Sequence, residues 1–400
     1  MSDESRAMPP DGRRTLLVVS TSARMLVRAA RRAGWRAWAV DAFGDIDTRV
    51  AAQAWQGAAL AADGGLDGDA VLRAVGRLAP REGMCLVVGS GLEGCPQVLR
   101  ELARRHRLAG NAPQVWEQLA HAPWWFALLR ELRIPHPEVA WGAAPRHGHW
   151  LVKRAGASGG LHVRGLAPGQ ELPDPRCYAQ RRVDGPACSL LFLADGRQLR
   201  VIGFNRMLPA ARGAPGPFAF SGASAPMGLA PALRAQVIDA AQRLVGRLGL
   251  RGLCGLDFML EGGCWLALEL NARPTATVEL WDLGGMPPLL DWHLRACDGE
   301  LPQGPAHAGG AHALAVAYAG RGLRVPPDMR WPGWCHDLPH AGRFIEAGAP
   351  LCTVRARHVA PARAAALAAA RAASLQRGLE AASAAARAMD PAATSTEVCA

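Results

Sequence analysis

The sequence predicts an α/β domain built on a parallel sheet, followed by a larger α+β region, and three observations carry that prediction. Apolar strand-like runs alternate with helix-periodic stretches through the first quarter of the chain: "TLLVVS", "ARMLVRAARRAG", "RAWAVDAF", "MCLVVGS", "PQVLRELARRHRL". Such alternation builds a parallel sheet with crossover helices. Further on, Asp195-Gly196 stands between two apolar strand-like runs, the mark of an antiparallel hairpin. Half of the 400 residues are hydrophobic and one fifth are charged, the composition of a globular chain rather than a disordered one.

In the first domain, taken as residues 13–108, the strand ends read "STSA", "DAFGD" and "GSGLEG". Open parallel sheets bind ligands beyond the carboxyl ends of their strands, so these loops are candidate site loops. No complete G-x-G-x-x-G opens the first helix, so the dinucleotide fingerprint is missing. A helical stretch, "QVWEQLAHAPWWFALLREL", gives way to a proline-marked connector, "RIPHPEVAWGAAPRHGHW". Then comes "HWLVKRAGASGGLHVR", which reads as strand, glycine-rich loop, strand. Beyond it lie the Asp195-Gly196 hairpin, a helix from about Pro231 to Leu248, a second hairpin, a β-rich piece near "HALAVAYAG" and an Ala/Arg-rich helix. Residues 386–400 read as a flexible tail, and no internal repeat is evident.

The net charge is +11. Clustered cations would suggest a nucleic-acid partner. Here the arginines are spread through helical stretches as a solvated face would carry them, without a recognition motif, so no specific nucleic acid is expected. Ten cysteines stand singly with no C-x-x-C pair, which signals neither a zinc site nor a disulfide framework. They read as reduced thiols in a cytoplasmic protein. No run approaches the ~18 apolar residues of a membrane span.

The stretch from Cys254 to Asn271 can be read in register. With a three-residue loop of Gly262, Gly263 and Cys264, Leu260 pairs with Leu266, Phe258 with Leu268 and Leu256 with Leu270, giving one apolar face. Asp257 then opposes Glu269, with Asn271 two residues further along the same side. Opposed carboxylates repel unless a cation sits between them. Two carboxylates and an amide oxygen are ligands that magnesium accepts. A solvent-facing polar side of a hairpin would show the same residues. "NARP", directly after, adds Arg273, a fixed cation able to grip phosphate or carboxylate oxygens.

Of the 45 lysines and arginines, Lys153 is the only lysine. It ends a strand and is followed by Gly156, Ser158, Gly159 and Gly160, a loop whose backbone N–H groups can approach phosphates. The Walker pattern has its lysine after the glycines, and this chain has it before them. An ammonium is a compact point charge and a guanidinium a broad fork, so a narrow phosphate slot explains why lysine persists here.

In this order, strand-Lys-Gly loop, then "YAQRRVDG", then "D…E-x-N-x-RP", the chain resembles the ATP-grasp superfamily over roughly residues 106 to 290. The resemblance implies a Rossmann-like first domain followed by an ATP-grasp fold of two α+β lobes, a small lobe over residues 109–182 and a large lobe over residues 183–385, with ATP and magnesium as cofactors. It places Lys153 on the α- and β-phosphates and makes Gly156, Ser158, Gly159 and Gly160 a lid. Gln180, Arg181 and Val183 line the adenine slot, and Asp257, Glu269 and Asn271 hold magnesium. Arg273 steadies the acyl phosphate, and Arg206, in "GFNR", is a second cation facing the phosphates. Three positions depart from the common pattern: "HAPWWFALL" lacks a lysine, Ala187 stands where a ribose-binding glutamate is frequent, and Gln180 replaces a glutamate. "QRRVDGPACS" is similar to the hinge of a carboxylate–amine ligase branch that contains tyramine–glutamate ligase of methanofuran biosynthesis. The implied reaction joins a small carboxylate to an amine, forming an amide through an acyl phosphate, in biosynthesis of a one-carbon-carrier cofactor. No general base is fixed by the pattern; His162 and Glu93 are the candidates. An acid–thiol ligase, a kinase, and an inactive nucleotide-binding or scaffold protein are the alternatives. A homodimer and no membrane contact are expected.

Overall fold

The computed structural model describes residues 14–78, 80–282, 288–304 and 309–389. Of the tail expected from residue 386, residues 386–389 are the end of the final helix; the rest of it and the acidic and proline-rich start lie outside the described residues.

The first domain runs β1 (Thr15–Val19), α1 (Arg24–Arg32), β2 (Arg36–Asp41), α2 (Ile46–Ala51), β3 (Ala54–Gly57), α3 (Gly68–Leu78), β4 (Cys85–Val88), α4 (Pro96–Arg105) and β5 (Arg107–Leu108). Its sheet has the order β3-β2-β1-β4-β5 with every pairing parallel. Strands buried on both faces read as unbroken apolar runs, and "TLLVV" is one: Leu17 and Val19 face α3 and α4, while Leu16 and Val18 face α1. Strand order reverses between β1 and β4. The loops after those strands, Ser20–Ser22 and Gly89–Glu93, therefore flank the crevice where such sheets take ligands.

Two helices follow, α5 (Pro113–Leu119) and α6 (Ala122–Glu131), each with proline in its first turn. The reading that starts the small lobe at residue 109 groups them with it. Val115, Trp125 and Phe126 pack in one core with Phe192 and Phe258, and the Phe126 ring also lies 5.3 Å from that of Tyr178. The small lobe proper is an antiparallel sheet of order β6-β9-β7-β8, from β6 (Val139–Ala140), β7 (Trp150–Arg154), β8 (Arg164–Leu166) and β9 (Cys177–Arg181).

The large lobe contains β10 (Ala187–Asp195), β11 (Leu199–Met207), β12 (Gly222–Ala225), α7 (Pro231–Leu248), β13 (Arg251–Glu261), β14 (Cys264–Asn271), a 3-10 turn (Ala276–Leu280) and α8 (Leu289–Cys297). It closes with β15 (Ala311–Tyr318), β16 (Leu323–Arg324), β17 (Cys335–His336), β18 (Phe344–Ile345), β19 (Pro350–His358) and α9 (Pro361–Met389). Eight of these strands form one antiparallel sheet, β14-β13-β10-β11-β12-β15-β19-β17. One end of it buries Phe192, Phe204 and Phe258 under α6 and α7; the other end packs on α9.

The β13–β14 hairpin corrects the expected register and explains why its key pair survives. The loop is the two residues Gly262 and Gly263, both at positive φ as the tight hairpin turn requires, so Glu261 pairs with Cys264, Leu260 with Trp265 and Phe258 with Ala267. That register alone would offset Asp257 from Glu269. A bulge at Leu268 restores it, and Asp257 does oppose Glu269. The extra residue is held from outside: the Trp125 indole donates to Leu268 O at 3.2 Å, and Ala267 N donates to Pro135 O at 2.8 Å. The apolar face is therefore Trp265, Ala267 and Leu270 against Leu260, Phe258 and Leu256.

The first domain is joined to this hairpin by buried polar contacts. Asn111 donates to Arg251 O and Ala272 O, both at 2.9 Å, and accepts from Arg251 N at 2.8 Å. On α8, His293 Nδ1 accepts from Leu253 N at 2.9 Å, and its Nε2 lies 3.0 Å from Ala109 O.

Candidate active site between the lobes

The half-buried Lys153 is on β7, paired with Tyr178 of β9. Burial pulls its ammonium below its ordinary pKa, and Glu269 and Asp257 act against that pull. The single lysine therefore lies near enough to the two opposed carboxylates of the β13–β14 hairpin to feel their charge. Burial, and then Glu269 opposite it, pushes the Asp257 carboxyl well above the usual range; Arg273 and Asn271 oppose that rise. Asn271 Nδ2 donates to Asp257 Oδ2 at 3.0 Å.

No group of three His, Cys, Asp or Glu side chains suited to a metal occurs among the described residues. The candidate set is instead two carboxylates and an amide, all hard oxygen donors. Two carboxylates held in register with one driven toward protonation call for a positive charge between them, so the donor set fits a divalent cation.

The glycine-rich loop is pinned between domains. A Cβ on Gly156 (φ +76°) would lie 3.0 Å from Glu93 O, so the loop meets the first domain's Gly91–Gly94 turn. Gly159 O accepts from Phe220 N at 2.9 Å. At Gly160 (φ +75°) a Cβ would meet Phe218 O at 1.9 Å, which only glycine avoids. Ser158 is half-buried in the same loop, and so is His162.

At the hinge, Gln180 is 2% exposed and its Nε2 has no hydrogen-bond partner among the described residues. An orphaned buried donor at the hinge fits a hydrogen-bonding edge such as that of adenine. Val183 is buried two residues past the end of β9. The Arg181 side chain points elsewhere: its guanidinium grips Glu261 at 2.8 and 3.1 Å, fastening the hinge to the tip of the metal hairpin.

Two cations stand differently from the expectation. Arg273 is 8% exposed and donates through Nε to Glu93, whose other oxygen accepts from Gly91 N at 2.6 Å. It therefore bridges to the first domain. Arg206 sits in the register row of Cys188 and Phe258, which faces α7, whereas Asp257 sits in the row of Ser189 and Asn205. Adjacent rows of a sheet face opposite sides. The strand therefore turns Arg206 away from the carboxylates.

A buried charge cluster at the end of β1 escaped the sequence reading. Arg24, in a helix whose arginines read as a solvated face, is 3% exposed. It bonds Glu279 at 2.5 and 2.6 Å and Asp337 at 2.8 and 2.9 Å, and Arg355 also reaches Glu279. Burial would raise the Glu279 pKa, but Arg24 and Arg355 hold its carboxyl far below the usual range. The cluster ties α1, the 3-10 turn and the β17 end together. Periodicity could not find it, because α1 packs on its sheet along one side and meets the large lobe at its first turn.

Residues 126–277 match the family model described as an ATP-grasp domain. That segment spans the small lobe, the glycine-rich loop and the Asp257–Glu269 hairpin. The chain contains an ATP-grasp domain. Similarity of fold extends well beyond it. A biotin carboxylase from Campylobacter jejuni, in a complex with β,γ-ATP, aligns with a TM-score of 0.65 at 13% identity over 89% of both chains. The biotin carboxylase domain dimer of Hydrogenobacter thermophilus 2-oxoglutarate carboxylase, solved with MgADP, ADP and bicarbonate, gives 0.66 at 12% identity over 86% of both. Rhizobium etli pyruvate carboxylase gives 0.68 at 14% identity, over 88% of this chain and 38% of that one. No curated protein is significantly similar in sequence. With 86 to 89% of this chain aligned, these likenesses carry the fold well beyond residues 126–277.

Proposed function

We propose that this protein is an ATP-dependent carboxylate–amine ligase, forming an amide through an acyl phosphate with release of ADP and phosphate. The observation that carries the reading is the convergence of Lys153 with Asp257 and Glu269 across the cleft between lobes, beneath a glycine loop. The ATP-grasp domain match and the nucleotides named with the similar solved folds support it.

Gln180 offers its unpartnered amide to the adenine edge, Val183 supplies an apolar wall, and Arg181 braces the hinge. Lys153 neutralises phosphate oxygens. Asp257, Glu269 and Asn271 hold magnesium, which when bound supplies charge neutralisation on the triphosphate. The substrate carboxylate attacks the γ-phosphorus and the bond to the β-phosphate oxygen breaks, so ADP leaves; positioning and electrostatics do most of that work. Gly156, Ser158, Gly159 and Gly160 keep water from the acyl phosphate. The amine nitrogen then attacks the acyl carbon, phosphate departs with the bonding electrons, and the nitrogen loses a proton. Arg273 steadies the acyl phosphate, and the Glu93 carboxylate it releases is placed to take that proton. The narrower placement, near tyramine–glutamate ligase in one-carbon-carrier cofactor synthesis, rests on "QRRVDGPACS": its Gln180 is buried at the hinge and its Ser189 lies in register with Asp257. Homodimer formation is part of the proposal.

The test is ADP release from magnesium-ATP with pooled carboxylates, including bicarbonate, and pooled amines, comparing wild type with Lys153→Arg. Pool-dependent ADP, an amide product and a loss of at least about tenfold in the variant are expected, since a broad guanidinium cannot occupy the slot. A thioester, a stable phosphoester or a carboxylated amine would reassign the acceptor or the acid. Unaltered turnover in Lys153→Arg would remove the site assignment.

A further inference from the structure

Two buried polar atoms along the cleft have no partner among the described residues: Gln180 Nε2 at the hinge and His162 Nδ1 in the glycine loop. Buried polar atoms are normally satisfied, so an exception calls for a partner such as a water, an ion or a ligand. Gln180 is accounted for by the adenine edge. His162 is at the other end of the same cleft and has no role yet.

The loop that carries His162 is fixed rather than free. Gly156 rests against Glu93 and Gly94 of the first domain, and Gly159 and Gly160 rest against Phe218 and Phe220 of the large lobe. The imidazole is therefore placed by contacts from two sides. The charges that act on it are Glu269, Lys153, Asp63 and Arg154. Glu269 and Lys153 are the groups that bracket a polyphosphate in the reading above, and Asp63 comes from the first domain, on the side away from the hinge. Burial also favours the neutral ring. A neutral imidazole carries one N–H and can donate it without adding charge beside Lys153. An oxygen anion between Lys153 and the hairpin, at the end remote from the hinge, is the group that completes this donor.

We propose that His162 Nδ1–H donates a hydrogen bond to the terminal phosphoryl group of ATP, so that the glycine loop distinguishes ATP from ADP. This rests on the nucleotide reading and adds to it a specific loop contact. A purely structural histidine would affect both nucleotides alike. The test is calorimetric titration of full-length wild type, His162→Ala and His162→Asn with Mg-ADP and, separately, with the magnesium complex of β,γ-imido-ATP. Asparagine carries its amide close to the Nδ1 position and keeps the donor. The expected result is that His162→Ala loses about tenfold in affinity for the imido analogue, keeps wild-type affinity for Mg-ADP, and is largely rescued in His162→Asn. Retained ADP binding also shows that the variants are folded. Equal losses for both nucleotides, or no loss for either, would overturn the contact while leaving the nucleotide site intact. Wild type that binds neither nucleotide would overturn the nucleotide reading, and this contact with it.

Discussion

Acidification should loosen the junction between the first domain and the large lobe through His293. The ring is 1% exposed; its Nδ1 accepts from Leu253 N, which leaves Nε2–H to donate to Ala109 O. A proton on Nδ1 would point at the Leu253 N–H, and burial lowers the pKa to about 4. An unfolded histidine titrates near 6.5. Because the folded value is the lower one, the stabilisation is present above pH 6.5 and is lost as pH falls, where the unfolded chain binds more protons. Linkage gives a loss of about 0.8 kcal/mol at pH 6, about 2 kcal/mol at pH 5 and about 3.4 kcal/mol once both states are protonated. His293→Gln keeps a donor for Ala109 O, loses the acceptor for Leu253 N and does not titrate. It should be less stable than wild type at pH 7.5, and the gap should narrow by about 2 kcal/mol at pH 5. Urea unfolding followed by both tryptophan fluorescence and circular dichroism measures the gap, provided that the two transitions coincide. Other titrating groups, such as His336, are common to both proteins and cancel. Parallel stability curves from pH 7.5 to 5 would refute the argument.

Two further predictions concern the cleft. Gly160→Ala puts a Cβ at 1.9 Å from Phe218 O in a φ of +75°; the loop should undock, giving faster hydrogen exchange over residues 156–163 and ADP release slowed about tenfold or more, with the melting temperature within about 4 °C of wild type. A variant with the loop still protected would show that the contact is adaptable. Asp257→Asn removes one of the opposed carboxylates. The raised folded pKa of Asp257 means that its ionisation costs stability as pH rises, so without metal the variant should be more stable at pH 7.5 by on the order of 1 kcal/mol. It should lose the stabilisation that magnesium gives wild type, as read by melting temperature with and without the ion. A variant less stable than wild type in the absence of metal would mean that the pair is not in conflict.

Much of the fold was legible in local pattern. Period-two apolar alternation fixed which side of β13 faces the core, and α7 ran where its periodicity and terminal proline placed it, from Pro231 to Leu248, whereas α9, from Pro361 to Met389, continues four residues into the expected tail. Lys153 was legible too, because one lysine among arginines stands out without any structure. The hairpin shows the limit. Its glycines announced a turn but not the turn's length, and the bulge that returns Glu269 to Asp257 depends on Trp125, more than a hundred residues away in the chain. Arg206 and Arg24 were misplaced for the same reason. A charge on a strand or a helix states its chemistry, but the face it occupies is set by register and by what packs there.

By itself, then, the sequence determined the order of elements, the apolar faces and the chemical types at the cleft, because these follow from periods of two and 3.6 residues and from the identity of side chains. Tertiary structure alone decided which charges meet. It delivered Glu93 to Arg273, joined Arg24 to Glu279 and Asp337, and left Gln180 Nε2 and His162 Nδ1 without a partner among the described residues. Such pairings join segments distant in sequence, and the burial that makes them strong exists only once the domains have packed.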